Sequence, residues 1–323
     1  MGLFNKFYFI KTAHFTHQKG IQSRELFRRS VNFVEIEVFS YCNRVCWFCP
    51  NSFIDRRSAN IYMIESVYLS ILNDLASIKY AGTISYSRYN EPLSDKVIIE
   101  RIKQARAALP SAILHTNTNG DYLDSDYLDA LSKAGLNSLN IQVYLANHER
   151  YDHEKMKKIM KKLHKRLGIS VPLAKDKQNE WLEARFDWKG IKIRHYARNF
   201  EINGCNRGDT VPIDQHYQRN TPCFSPFRHL YIDYNGKVMP CCNLRSDIET
   251  HQTAIIGELS SETNIFDLYA GMRLSQWRSA LVDFSAKSGF CKTCSFNKVK
   301  PSLLNRYFSS RATRKRDMKN DSV

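Results

Sequence analysis

Strand and helix signals alternate from about residue 34 to residue 194, and this alternation restricts the possible fold more than any other feature of the chain. Residues 34–39, Val-Glu-Ile-Glu-Val-Phe, alternate with the period of a strand. Residues 64–78 carry helical periodicity, 83–86 read as strand, and 96–109 read as a helix closed by Pro110. Residues 112–115 are a strand, and 125–134 a helix stopped by Gly135. Further strands are expected at 139–144 and 190–194. A strand that returns parallel to its neighbour needs a crossover, usually a helix, so the pattern implies parallel β/α units and an α/β fold. The pattern does not distinguish a full barrel from a partial one.

The first strand runs into Cys42, Cys46 and Cys49, spaced C-x3-C-x2-C. An iron–sulfur cube or a structural zinc site is normally closed by four protein ligands. Three thiolates on a cube leave one iron with an open position, where a substrate or cosubstrate binds. The next cysteine is Cys205, so nothing local closes the site. The alternative is a zinc ion that borrows a distant ligand, although zinc sites favour paired C-x2-C knuckles.

The nine cysteines are clustered by spacing, which reads as metal ligation in a reducing cytoplasm rather than a disulfide framework. Residues 1–20 hold only the short apolar run 7–10 and no signal peptide, and no stretch approaches the length of a membrane span. Met1-Gly2 opens like a myristoylation signal, but Lys6 stands where Ser or Thr is expected. The net charge is +16. Seven of the twelve residues 155–166 are Lys or Arg, and Met156, Ile159, Met160, Leu163 and Leu167 recur at helical spacing. That is an amphipathic helix with a basic face. Its cations are either simply solvated or a landing site for an acidic electron donor, an anionic substrate or a nucleic acid. A second basic stretch runs from Lys298 to Arg316 with few apolar residues after Phe308, and is expected to be disordered.

The composition changes after about Val211. Residues 228–239 read as a β-hairpin turned by Asn235-Gly236, both of which tolerate positive φ. Cys223 and Cys241 flank this hairpin, and Cys291-x2-Cys294 supplies a second pair. Two converging pairs make a four-thiolate site, for zinc or an iron–sulfur cluster alike. Cys205 and Cys242 are left over. Cys242 suits a small buried position. Cys205, in the turn-rich run 203–208, is the candidate thiol to face a substrate.

The run Tyr41-Cys-Asn-Arg-Val-Cys-Trp-Phe-Cys-Pro50 resembles the cluster loop of the radical S-adenosylmethionine (radical SAM) enzymes. The resemblance implies that Cys42, Cys46 and Cys49 hold a 4Fe–4S cluster whose fourth iron is chelated by S-adenosylmethionine, with Phe48 near the adenine. It also implies a partial (β/α)6 barrel. In Tyr89-Asn-Glu-Pro-Leu93 the pair Glu91-Pro92 matches the family's Gly-Gly-Glu-Pro-like segment, with Tyr89 and Asn90 in place of the glycines. Asn90 and Glu91 are thereby candidates to meet the amino group of the cosubstrate; the bland reading is an Asn-Glu-Pro turn. Residues 116–120 are similar to the family's Thr-Asn-Gly segment, which nominates Asn117 and Thr118, unless they serve as a turn and helix cap. Gln142 stands where the family often places a ligand-contacting Ser, and Arg194 is a candidate partner for the methionyl carboxylate. His195 and Tyr196 follow it with no role assigned.

The C-terminal cysteines resemble the SPASM/Twitch extension of the same enzymes. Its pattern C-x(9–15)-G-x4-C is met by Cys223, Gly236 and Cys241. No cysteine follows Cys294, so the short Twitch form with one auxiliary 4Fe–4S cluster on Cys223, Cys241, Cys291 and Cys294 is the better match. The organisation expected is a lead-in at 1–33, a core at 34–211, a small hairpin-and-helix Twitch-like domain at 212–297, and a tail at 298–323.

The function implied is a cytoplasmic oxidoreductase. A flavodoxin- or ferredoxin-like donor supplies one electron, S-adenosylmethionine breaks to a 5′-deoxyadenosyl radical, and the substrate radical loses an electron to the auxiliary cluster. Forty-one residues precede Cys42, fewer than a leader-peptide domain takes, which favours a small molecule such as a sugar or aminocyclitol over a peptide or protein side chain. A zinc-stabilised nucleic-acid-binding protein is the reading from another class, supported by the charge. Against it, the cysteines lie among alternating strands and helices rather than in compact fingers.

Overall fold

The computed structural model describes residues 7, 9–260 and 262–318; Met1-Gly2, Lys6 and Tyr8 of the apolar run lie outside the described residues. The elements in chain order are α1 (Gly20–Ser30), β1 (Phe33–Ile36), α2 (Glu65–Ser77), β2 (Thr83–Tyr86), α3 (Val97–Ala108), β3 (Ile113–Thr118), α4 (Ser125–Ala134), β4 (Ser138–Gln142), α5 (His153–Arg166), β5 (Lys175–Lys177), β6 (Trp181–Trp188), β7 (Ile191–Arg198), α6 (Phe200–Asn203), α7 (Ser225–Arg228), β8 (His229–Ile232), β9 (Lys237–Met239), β10 (Gly257–Glu258), α8 (Ile265–Tyr269), α9 (Met272–Leu281) and α10 (Leu303–Asp317).

All ten strands form one sheet in the order β10-β9-β8-β1-β2-β3-β4-β7-β6-β5. The six central strands, from β8 to β7, are parallel, with antiparallel strands at both ends, so the sheet is open and has the form of a partial barrel. Helices cross over where the sequence places them. Asp124 caps α4 by accepting from the Tyr127 amide at 2.7 Å, and Gly135 ends it at φ 96°. In α5 the Asp152 carboxylate caps the first turn, while Met156, Met160 and Leu163 are buried and the lysines face outward.

The chain reaches β7 through the antiparallel β5–β6–β7 meander. The first strand of the C-terminal hairpin, β8, lies parallel to β1, with His229 opposite Phe33 and Ile232 opposite Ile36. The hairpin turn itself is as expected, with Gly236 at φ 77° and its amide donating to the Asp233 carbonyl at 2.9 Å.

The expected disorder of the tail is corrected over Leu303–Asp317. Ser302 caps α10, and the small residues Ser309 and Ala312 let the helix close on Phe7, Ile10, Phe15, Phe227 and Val282. Lys315 donates to the Ile10 carbonyl at 2.7 Å, and Arg316 pairs with Asp283 at 3.0 Å. Phe308 also packs against this cluster, and polar anchoring holds the part of the helix that follows it. Among the described residues no helix is long and apolar enough to cross a membrane.

Buried charges tie the hairpin to the centre of the sheet. Arg88, whose side chain is fully buried, meets Asp233 at 2.5 Å and donates to the Leu244 carbonyl at 2.6 Å. Arg56 joins Glu37 at 3.0 Å to Asp247 at 2.8 Å, and Arg245 joins Asp247 to Asn51.

Burial also sets an acid limit. His195 stacks edge-on against His164, with 3.0 Å between their ring nitrogens; burial and then His164 push it down to about 3. Burial and then Arg278 push His14 down to about 3 as well. These two histidines refuse protons that they bind in the unfolded chain below about pH 6.5, so their contribution to stability is full above that pH and falls as the pH drops. The slope is roughly 1.4 kcal/mol per pH unit for each histidine. Between pH 7 and pH 5 the urea midpoint of His195→Gln is therefore expected to shift upward relative to that of the wild type.

Candidate active site

The carboxyl ends of the parallel strands open into a cavity of about 260 Å³. Ligands in open α/β sheets bind at this end, because the loops there converge while the strands beneath hold them. Cys42, Cys46 and Cys49, on the loop after β1, all line the cavity. The loop is fixed from several sides. The Cys42 amide donates to the Arg56 carbonyl at 3.0 Å, and the Val45 amide to Asn147 Oδ1 at 3.0 Å. Arg44 pairs with Asp121 at 2.6 Å, and Arg150 lies 3.9 Å over the Trp47 ring. Burial raises Cys42 to about 12, and burial with the charge of Cys49 and Cys42 raises Cys46 further. Three thiols that share one pocket, two of them held protonated by burial, are suited to a cation that holds them as thiolates.

The loop after β2 is locked to β1. Glu37 accepts from the Tyr89 and Asn90 amides, both at 3.0 Å. Glu91 lines the cavity, yet both its oxygens are engaged: Oε1 accepts from Thr118 Oγ1 at 2.5 Å and the Leu93 amide at 3.1 Å, and Oε2 from the Asn119 amide at 2.7 Å. Burial, partly offset by these donors, raises Glu91 to about 7. Glu91 thus clamps two loops together at the cavity wall.

The remaining sequence candidates divide. Phe48, Asn90, Asn117, Thr118 and Gln142 all line the cavity. Phe48 stacks on Phe200 with ring centroids 3.4 Å apart. Asn90 Oδ1 and Gln142 Nε2 are buried with no hydrogen-bond partner, while Gln142 Oε1 accepts from Tyr196 at 2.7 Å. Two unpartnered polar atoms in a cavity wall cost free energy unless a ligand meets them. Arg194 is elsewhere: it pairs with Glu183 at 2.9 Å beside Trp181 and does not line the cavity. Arg198, half a strand further on, does line it, with a buried and unpartnered Nε. Four residues along β7 keep the same side of a strand, so the side of the arginine was legible and the depth was not.

The second cysteine set stands beside the same cavity. Cys223 and Cys294 lie near enough for their charges to raise Cys241 and Cys291, and Cys223 likewise raises Cys294; Cys291 stands at about 12 and Cys294 at about 11, burial being the first cause for both. Donors already point at the sulfurs: the Asn243 amide at 3.3 Å from Cys241 Sγ, and Arg219 Nη1 at 4.0 Å from Cys294 Sγ. Such N–H···S contacts stabilise a charged thiolate cluster. Cys242 lines the cavity, while Cys205 is buried outside it and donates to Asn243 Oδ1 at 3.4 Å. Glu35, Arg88 and Arg207 also line the cavity and were not singled out from the sequence. The available signal was two glutamates in the otherwise apolar strand 34–39.

A model of the radical SAM superfamily matches residues 36–179, and a model of the SPASM iron–sulfur cluster-binding domain matches residues 223–295. An S-adenosyl-L-methionine-dependent 2-deoxy-scyllo-inosamine dehydrogenase from Niallia circulans is 28% identical over 266 residues, covering 81% of this chain and 92% of that protein. A GTP 3′,8-cyclase from Chlorobaculum tepidum is 28% identical over 136 residues, 41% of this chain and 39% of that protein. Among solved structures, BtrN in complex with AdoMet and 2-DOIA superposes with a TM-score of 0.62 at 23% identity, over 86% of this chain and 97% of that one. An open conformation of BtrN gives a TM-score of 0.54 at 22% identity, over 82% and 92%. These superpositions share the fold described above.

Proposed function

We infer, from the premise that this chain belongs to the radical SAM superfamily and carries a C-terminal SPASM iron–sulfur domain, that it dehydrogenates a hydroxyl-bearing carbon of a small polar ring such as an aminocyclitol or sugar. The observation that carries the reading is one cavity bordered by both cysteine sets, three thiols on one wall and the neighbour of a fourfold set on another.

The donor sets fit the groups they would hold: Cys42, Cys46 and Cys49 a 4Fe–4S cluster with one open position, and Cys223, Cys241, Cys291 and Cys294 a closed one. With S-adenosylmethionine bound, the first cluster supplies a 5′-deoxyadenosyl radical able to take hydrogen from an unactivated carbon. The protein's own contribution is binding and exclusion of water. The unpartnered Gln142 Nε2 and Asn90 Oδ1 offer a donor and an acceptor to the cosubstrate, and Arg198 offers a cation to its carboxylate. Phe48, held flat by Phe200, offers a stacking face. The clamp of Glu91 on Thr118 and Asn119 keeps these groups at one spacing. The first cluster's electron comes from an acidic flavodoxin- or ferredoxin-like carrier, for which the exposed lysines of α5 are a suitable landing face. That chemistry suits the reducing cytoplasm.

The test is anaerobic reconstitution followed by reaction with dithionite, S-adenosylmethionine and 2-deoxy-scyllo-inosamine or related polyols. About eight irons per chain are expected, the sum of two cubes, with 5′-deoxyadenosine and a ketone formed in equal amounts. Substrate-independent 5′-deoxyadenosine across the whole polyol set, with no ketone, would overturn the substrate class and turn the search to peptides.

A further inference from the structure

A dehydrogenation of this kind needs a proton acceptor as well as an electron acceptor, and the cavity wall narrows the choice. Its arginines carry no acceptor atom. Both oxygens of Glu91 are filled. The Tyr89 and Tyr196 hydroxyls donate to the Cys242 carbonyl and to Gln142, and burial holds both phenols protonated. Cys42, Cys46 and Cys49 belong to the first cluster.

Glu35 differs. Its Oε1 accepts from Ser87 Oγ at 3.1 Å, while among the described residues its Oε2 is met only by Arg88 Nη1 at 3.7 Å, beyond hydrogen-bond length. Arg88 turns its Nε to Asp233 and its Nη2 to the Leu244 carbonyl, while its Nη1, buried without a hydrogen-bond partner, faces Glu35 Oε2 as a nearby cation. Behind Glu35 runs a row of oriented amides and hydroxyls across four parallel strands. Asn140 on β4 donates to Asn117 on β3 at 2.9 Å, Asn117 donates to Ser87 after β2 at 2.8 Å, and Ser87 donates to Glu35 on β1. The row turns donors toward one carboxylate oxygen and leaves the other for the cavity. Glu35 also lies on the side facing the second cysteine set, since β1 pairs with β8, which leads through the hairpin to Cys241 and Cys242.

We propose that Glu35 is a catalytic residue that takes the hydroxyl proton of the substrate during its oxidation. The proposal rests on the dehydrogenase reading above. The steps balance as follows. The carbinol C–H bond breaks and its hydrogen atom passes to the deoxyadenosyl radical. The O–H bond of the resulting α-hydroxyalkyl radical then breaks, and its proton goes to Glu35 Oε2. One electron leaves to an iron–sulfur acceptor on Cys223, Cys241, Cys291 and Cys294, and the C=O bond forms. An α-hydroxyalkyl radical is more acidic than its parent alcohol, and its conjugate base is the stronger reductant. A base beside the electron's exit therefore makes electron loss favourable where it must occur. The charged and titratable groups around Glu35 are Arg88 after β2, Glu37 just after β1, Tyr231 on β8 and Cys242 beyond β9. Burial outweighs Arg88 and raises Glu35 to about 8, close to the working range of a general base.

The test compares the wild type, Glu35→Gln and Glu35→Asp as holoenzymes with both clusters and 2-deoxy-scyllo-inosamine as probe. In Glu35→Gln we expect 5′-deoxyadenosine to form while ketone falls by roughly a hundredfold or more. An organic radical should accumulate in freeze-quenched electron paramagnetic resonance. Glu35→Asp is expected to recover part of the ketone. The wild-type ketone-forming step rises with pH through about 8, and the Gln variant loses that rise. Independently of turnover, an infrared carboxyl band titrating in the same range is present in the wild type and missing from Glu35→Gln. A ratio of ketone to 5′-deoxyadenosine unchanged in Glu35→Gln overturns the proposal while leaving the dehydrogenase reading intact. So does a raised KM at an unchanged ratio. No ketone from the wild type overturns the dehydrogenase reading itself.

Discussion

A Cys46→Ala chain reconstituted with iron and sulfide is expected to hold about four irons where the wild type holds about eight, and to form no 5′-deoxyadenosine. A Cys291→Ala chain is expected to lose a similar amount of iron yet still cleave S-adenosylmethionine, without making ketone. The two variants separate because the two sulfur sets differ in kind. In the proposed reading the set at 42–49 supplies three thiols from one loop, which would leave an open position for the cosubstrate. In the same reading Cys223, Cys241, Cys291 and Cys294 would supply four thiols, with Asn243 and Arg219 donating to two of the sulfurs, so this set would be closed to ligands and suited to holding an electron. Equal loss of cosubstrate cleavage in both variants would show that the second set supports the first structurally and has no electron-accepting role of its own.

The second large effect is on stability. Arg88→Met leaves Asp233, 2% exposed in its side chain, without its cation at 2.5 Å. Removing one partner of a buried pair typically costs about 3–5 kcal/mol, because the remaining charge stays desolvated. For a chain of this size that lowers the melting temperature by on the order of 5 °C. Following Arg88→Met with Asp233→Leu removes the stranded charge and is expected to restore much of the loss. The measurement is a double-mutant cycle in urea. Additive single effects would mean that the pair is uncoupled and that solvent reaches Asp233.

The parallel core was legible because its crossover helices carry apolar periodicity and several carry a stop or cap, such as Asp124 and Gly135 around α4. The meander of β5 and β6 was legible in part. Lys175–Lys177 is wholly exposed and charged and carries no strand signal, whereas residues 182–188 alternate apolar and charged as a strand does, a signal present in the sequence and not used. Helix α10 escaped notice because beyond Phe308 its contact face is made of Ser309 and Ala312, and no hydrophobicity pattern marks small residues as an interface. At the site, the cysteines could be read by spacing because a loop's ligands are local. Glu35, Arg88 and Arg207 could not, because their importance comes from neighbours brought together by β-pairing across distant parts of the chain. Arg194 illustrates the limit of reading a strand without its depth: Glu183 on the neighbouring strand takes it, and Arg198 occupies the cavity.

The parallel seating of β8 against β1 has a consequence for how such a molecule is made. Strand β1 is synthesised first and gains β2 soon afterwards, but its other edge waits for residues His229–Ile232, roughly 200 residues later. On a ribosome that edge is an unpaired row of amides and carbonyls beside a three-thiol loop, open to pairing with another nascent chain. The two family-matched segments therefore depend on each other before either can hold iron safely. Cutting the chain between them, near residue 211, would leave two fragments that each lack the other's strand, so coexpressed halves would have to find one another to yield any active protein.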